Sequence, residues 1–290
     1  MNAFLQHLLN GLVLGSTYAL LGIGLTLIFG IMKVVNFAHG ELYAVGAYVA
    51  YAMVSLLGLN FFAALALAAL AGFLVGALIE FVLLRKRDLA SIDEVMLIMI
   101  GVMLVIQNAQ LWAWGGVAKA VASPFSQQPL VFGEISVSPI RAFVLVTALG
   151  LLVVFYLLIE RSRLGLAMRA TFQDRDAAKI VGVNVSRVYT LTFALGSCLA
   201  ALAGALLAPV FLVNPTMGDL ASLKAFAIVI LGGLGNLAGA ALGGFALALV
   251  EEFGAGYIST AYRDAIGFLL ILLVMIVRPQ GLFASRERLV

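Results

Sequence analysis

Few ionisable side chains interrupt the long apolar runs of this chain, and these few are where chemistry would be done. Lys224, ten residues after Asn214, is the clearest; Glu41, Asp219, Glu251 and Glu252 follow. A charge inside an apolar segment is costly and is kept where it pairs with another group or meets a solute. A cation at Lys224 can pair with Asp219 or Glu41, or face a carboxylate brought from outside; structural pairing is the plainer expectation. Glu251 and Glu252 are expected at the far end of a span, in water. Asn36, His39 and Glu41 share one polar interruption, MKVVNFAHGELY, and Asn214 and Asp219 share another, NPTMGDL.

Other chemistries find little support. The only histidines, His7 and His39, are far apart, so no metal site is expected. The run from Gly233 to Gly239 has no G-K-[S/T] after it and is better suited to a turn or to close helix packing than to a nucleotide. No Ser, Cys or Asp arrangement suggests a hydrolase. The single cysteine, Cys198, cannot form a disulfide within the chain and reads as a small core residue.

These residues must be positioned by membrane-spanning helices. The chain is 64% hydrophobic and 11% charged, with mean hydropathy +1.15, whereas soluble domains carry about 25% charged residues. Its segments are continuous apolar runs rather than alternating ones, which excludes a membrane β-barrel and gives an all-α polytopic membrane protein. The first run has no Lys or Arg ahead of it and reads as a span, not a signal peptide. Spans are expected at about 4–31, 42–57, 61–83, 95–113, 140–160, 188–212, a stretch holding Lys224, 237–253 and 265–277. That makes nine, or eight if one short segment is re-entrant. Trp112 and Trp114 suit a membrane interface. Placing Arg85–Arg87 inside puts thirteen of the seventeen Lys/Arg residues on the cytoplasmic side, Lys33, Arg278, Arg286 and Arg288 among them. Only Lys119, Arg141 and Arg263 fall outside. By the positive-inside rule the C-terminus is cytoplasmic, and with nine spans the N-terminus is external.

The most polar segment is RSRLGLAMRATFQDRDAAKIVGVNVSR, 161–187. Asp174 can cap a short helix starting at Arg175, Asp176 and Lys179 match its dipole, and Gly182 suits the residue after its end. An ordinary basic loop would explain the charges; it would not explain the caps or the Ala177, Ala178, Ile180 face expected to be exposed. A second pattern is V-N-x-x-x-G-[E/D]-L, at 34–42 and 212–220, each copy preceded by T-[Y/F]-A-L, at Thr17–Leu20 and Thr192–Leu195. Two similar helix-breaking turns would explain it. An inverted repeat, about 4–113 and 188–278, with a linking span 140–160 and the polar loop between, is the architecture of many transporters. On that reading the first copy of the motif is cytoplasmic and the second external.

Three stretches, 15–50 with NFAHGE and GAY, 161–188 and 214–244, carry a resemblance over nearly the whole chain. The sequence resembles the permease of branched-chain amino acid ABC importers, specifically the smaller of the two permease subunits. The resemblance implies a fold like the vitamin B12 importer's membrane domain, less one N-terminal helix. It also implies a bacterial inner-membrane location and a coupling helix carrying Arg169, Asp174, Ala177, Ala178 and Gly182. The implied partners are a second permease subunit, two cytoplasmic ATPase subunits and an external solute-binding protein, which Glu251 and Glu252 would help to dock. No cofactor is expected in the chain, ATP being bound by the partners, and no nucleic acid. Related members carry urea, short amides or aromatic amino acids. An ion-coupled secondary transporter, or a channel for a small neutral solute such as urea, is the competing class.

Overall fold

The computed structural model describes residues 2–87, 91–125, 128–132 and 135–283; Arg286 and Arg288, used above for the charge count, lie outside the described residues. In hydrocarbon each backbone N–H and C=O must be paired, and a helix does so within its own segment. The apolar runs accordingly become α1 (Asn2–Met32), α2 (His39–Tyr51), α3 (Phe61–Ile79), α4 (Ile92–Trp114) and α5 (Pro139–Arg161). After the polar segment come α8 (Val185–Leu207), α9 (Met217–Gly232), α10 (Leu237–Tyr257) and α11 (Arg263–Val277). One π-helical turn extends α2 to Leu56 and another extends α3 to Leu84.

Among the described residues, seven helices are long and apolar enough to cross a membrane. The other two of the nine expected segments, α2 of 13 residues before its π-helical turn and α9 of 16, are not among the seven. Each starts inside one copy of the Asn motif, three residues after its Asn. His39, the first residue of α2, meets the main-chain oxygen of Leu21, halfway along α1. Leu21 is about 16 Å from the end of α1 at 1.5 Å per residue, so the chain folds back into the bundle before α2 begins.

The chain is not wholly α-helical. In the weakly polar connection after α4, β1 (Leu130–Phe132) pairs antiparallel with β2 (Ile135–Val137), and Lys119 bridges to Val213. Strings of Val, Ile and Phe too short to span favour extended pairing. The polar segment also gives two helices rather than one: α6 (Arg163–Gln173) and α7 (Arg175–Ile180).

Packing ties the two ends of the chain together. α1 lies along α10 and α8 along α3, while α2 rests on α3 as α9 rests on α10. Where α1 crosses α8, a Cβ added at Gly24 would stand 2.6 Å from the oxygen of Gly196, and one at Gly196 equally 2.6 Å from the oxygen of Gly24. Such contact needs residues without side chains. α6 packs on α1, α5 and α8, at the end of the bundle where Glu80 accepts a 2.5 Å hydrogen bond from Thr190. The opposite end gathers the start of α1, the hairpin and the end of α10, with the Ser136 N–H donating to Gln6 at 3.3 Å.

Candidate functional site

The two Asn motifs do the same local work. Asn36 accepts the Ala38 N–H at 3.1 Å and Asn214 accepts the Thr216 N–H at 3.2 Å, each closing an Asx turn just ahead of a helix. The two helices that follow meet at their first turns. A Cβ at Gly40 would lie 2.0 Å from the oxygen of Gly218, and one at Gly218 would lie 2.3 Å from Oε1 of Glu41. Ser222 of α9 accepts the Gly40 N–H at 3.0 Å and donates to the Phe37 oxygen at 3.0 Å. Asn36, His39, Glu41 and Asp219 therefore come together, although the motif copies were expected on opposite membrane faces.

The crossing leaves many polar atoms unmatched. Asn36, His39 and Glu41 are fully buried. Among the described residues, Asn36 Nδ2, His39 Nδ1, both Glu41 carboxylate oxygens, Tyr48 Oη and Gln110 Oε1 have no hydrogen-bond partner. Each such group costs about 1–3 kcal/mol when left dry. Two glutamines one helical turn apart on α4 complete the site: Gln107 donates to Asp219 at 2.9 Å and Gln110 to the main-chain oxygen of Glu41 at 3.4 Å. Their i, i+3 spacing inside an apolar run was the signal in the sequence.

Lys224 does not pair with Asp219 or Glu41. Its Nζ lies 2.8 Å from Glu251, 2.9 Å from Asp264 and 2.6 Å from the Tyr18 hydroxyl. Five residues along a helix turn the side chain by about 140° from Asp219, which points Lys224 at α1, α10 and α11 instead. Nor are Glu251 and Glu252 in water: they are 2% and 6% exposed. Glu252 accepts hydrogen bonds from Asn10 at 3.2 Å and Arg263 at 2.7 Å, with His7 Nδ1 at 3.3 Å. Adjacent helical residues point about 100° apart, so each carboxylate is consumed by a different neighbour and neither is free to dock a protein from outside.

At the other end, α7 has the caps its sequence indicates. Asp174 accepts the N–H groups of Asp176 at 2.8 Å and Ala177 at 3.0 Å. Gly182 follows the helix with φ of 91°, a left-handed conformation that glycine adopts without strain. Asp176 and Lys179 are 3.0 Å apart, an exposed pair of small energetic weight. Two expected features differ. Ala178 is 3% exposed and faces its own chain, while Ile180 and Val181 are 86% and 77% exposed. Arg169 is on α6, not α7, where it donates to the Ile159 oxygen and pairs with Glu160 at 3.3 Å, tying α6 to the end of α5.

The Ala177 and Asp176 N–H groups hold the Asp174 carboxyl below the usual carboxylate range. A depressed acid contributes stability above its unfolded pKa and loses it as pH falls through the folded one. α7 should therefore hold at neutral pH and fray only in acid. Asp174→Asn, which still caps, should remove that acid-side loss, and Asp174→Ala should fray the helix at every pH. Hydrogen exchange at the Ala177 and Ala178 amides measures both.

The family model for the branched-chain amino acid transport system permease component matches residues 7–275. The chain belongs to the branched-chain amino acid permease family. Among its relatives, the high-affinity branched-chain amino acid permease protein BraD of Pseudomonas aeruginosa is 37% identical over 98% of this chain and 97% of its own. LivH of Escherichia coli strain K12 is 35% identical over 98% and 96%. Its LivM, named as a permease of the same transport system, is 27% identical over 91% of this chain and 67% of its own. No solved structure matches. As a permease of this family, the chain is a multi-pass membrane protein of a transport system.

Proposed function

We propose that the chain is the membrane-spanning permease subunit of an ATP-driven importer for branched-chain or related amino acids in a bacterial inner membrane. The observation that carries this reading is the crossing of α2 and α9. Two helices begin partway through the bundle, with first-turn carboxylates and unpartnered polar atoms that would solvate a polar solute where lipid could not. Glu41, Asp219, Asn36, His39 and Asn214 are proposed to line or hinge the pathway. Lys224 is proposed as a structural cation.

On this reading α2 and α9 complete nine crossings, with the N-terminus outside and the C-terminus in the cytoplasm. The halves about 4–113 and 188–278 form an inverted repeat, with a fold like the vitamin B12 importer's membrane domain. The reciprocal packing of α1 on α10 and α8 on α3 supports it. A second, different permease subunit completes the pathway, an external binding protein delivers solute, and two ATPases dock against α7. The capped α7, with Asp174, Asp176, Ala177 and Gly182 setting its ends and Ile180 and Val181 offered to a partner, supports the coupling role.

Reconstitution tests the reading. Uptake should require the ATPase subunits; robust flux through the chain alone would favour an ion-coupled transporter or a channel. Ile180→Asp in the full complex should leave assembly intact, lower uptake more than ten-fold and abolish stimulation of ATP hydrolysis by loaded binding protein. Unchanged coupling would remove α7 from the mechanism.

A further inference from the structure

The end of the bundle opposite α7 carries chemistry that neither the helix crossing nor the coupling surface uses. Two adjoining cavities lie there, of about 410 Å³ and about 190 Å³, sharing Arg141 and Val210 as walls. Together they are in the size range of small-molecule sites, roughly 300–1,000 Å³.

Both cations of this cleft sit where a helix disfavours them. Arg141 is the third residue of α5 and Arg263 the first of α11. Helix N-termini already carry partial positive charge, so an arginine there adds to an anion-attracting field. Arg263 is neutralised by Glu252 at 2.7 Å. Arg141 has no carboxylate within ion-pair distance among the described residues; its side chain donates one hydrogen bond, to Asn10 Oδ1 at 2.6 Å. A guanidinium has five N–H donors in a planar fork that matches a carboxylate. Beside it, Glu252 brings a buried carboxylate to the wall, and Val13, Leu14, Val210 and Phe211 bring an apolar one.

We propose that this cleft is an outer holding site for the transported α-amino acid. Arg141 takes its carboxylate, and the aliphatic side chain lies against Val13, Leu14 and Phe211. A carboxylate with a branched aliphatic tail satisfies both walls; a neutral amide or urea leaves Arg141 unmatched. The cleft also stands in line with the deeper polar groups. Eight residues, about 12 Å, along α1 from Asn10 is Tyr18 of the Lys224 cluster, and one turn further Leu21 holds His39. This role rests on the amino-acid permease reading above.

The test uses the complete transporter in nanodiscs, without binding protein, and radiolabelled leucine read by scintillation proximity. Wild type should bind saturably, leucinamide should compete at least ten-fold more weakly than leucine, and Arg141→Gln should weaken binding at least ten-fold. Arg141→Lys, which keeps the charge, should fall between. Absent saturable binding, equal competition by leucinamide, or undiminished binding by Arg141→Gln would each overturn the site, and the leucinamide arm needs no variant to fold. ATP-driven leucine uptake is measured alongside. Uptake without Arg141-dependent binding overturns the cleft alone, whereas loss of uptake in wild type overturns the reading beneath it.

Discussion

Lys224→Met is expected to be the most destabilising single change in the bundle interior. It removes the cation from Glu251, whose side chain is 2% exposed, and from Asp264 and Tyr18, while adding no compensating group. Breaking a buried ion pair from one side costs about 3–5 kcal/mol, because the remaining charge is left without a partner. The double variant Lys224→Met, Glu251→Gln should recover most of the loss, since it removes both buried charges and leaves only Asp264, whose side chain is 45% exposed. Thermal unfolding of the purified complex would show this as a low midpoint for the single variant and a near-normal one for the double. Were the two equally unstable, packing rather than charge would hold α9, α10 and α1 together.

Gly40→Leu is expected to abolish transport outright. A Cβ there would already lie 2.0 Å from the Gly218 oxygen and 2.4 Å from the backbone nitrogen of Ser222, and neither is a flexible side chain that could move aside. Overpacking a tight core costs about 1–3 kcal/mol even where neighbours can shift. Here the strain would push α2 from α9 at the crossing where Glu41 and Asp219 meet. Leucine uptake by the complex should vanish while the chain still enters the membrane. Gly101→Leu, at a position on α4 with open space around it, should be tolerated. Retained uptake in Gly40→Leu would mean that close contact of α2 and α9 is not required.

What was legible in the sequence follows from the range of the interactions. α7 is readable because Asp174, Lys179 and Gly182 act within one or two turns, and α1 because 31 residues of apolar helix need no partner to be recognised. The starts of α2 and α9 were visible as interruptions, but not their meeting, which joins residues about 180 apart in the chain. Lys224 was legible as a problem and not as a solution. Its acceptors come from three other helices, and the 140° turn separating it from Asp219 matters only once α9 is known to be straight and packed. Glu251 and Glu252 misled for the same reason: a pair of acids near the end of an apolar run suggests water unless Asn10, Lys224 and Arg263 are known to face them. Ala178 looked available because six residues of helix cannot by themselves say which side rests on the body. The paired strands 130–132 and 135–137 fall between the spans expected at 95–113 and 140–160, in runs of three residues too short to register as strands.

The adjacent acids of α10 also bear on how the protein is made. A charged residue such as Asp at a helix centre raises the cost of membrane insertion by about 3 kcal/mol, and Glu251 and Glu252 stand side by side on one helix. Their partners arrive at different times. His7, Asn10 and Tyr18 on α1 and Lys224 on α9 are synthesised before α10, but Arg263 emerges only with α11. α10 can thus settle fully only when α11 is beside it, which makes these two helices a single step in biogenesis, seated against helices made before them.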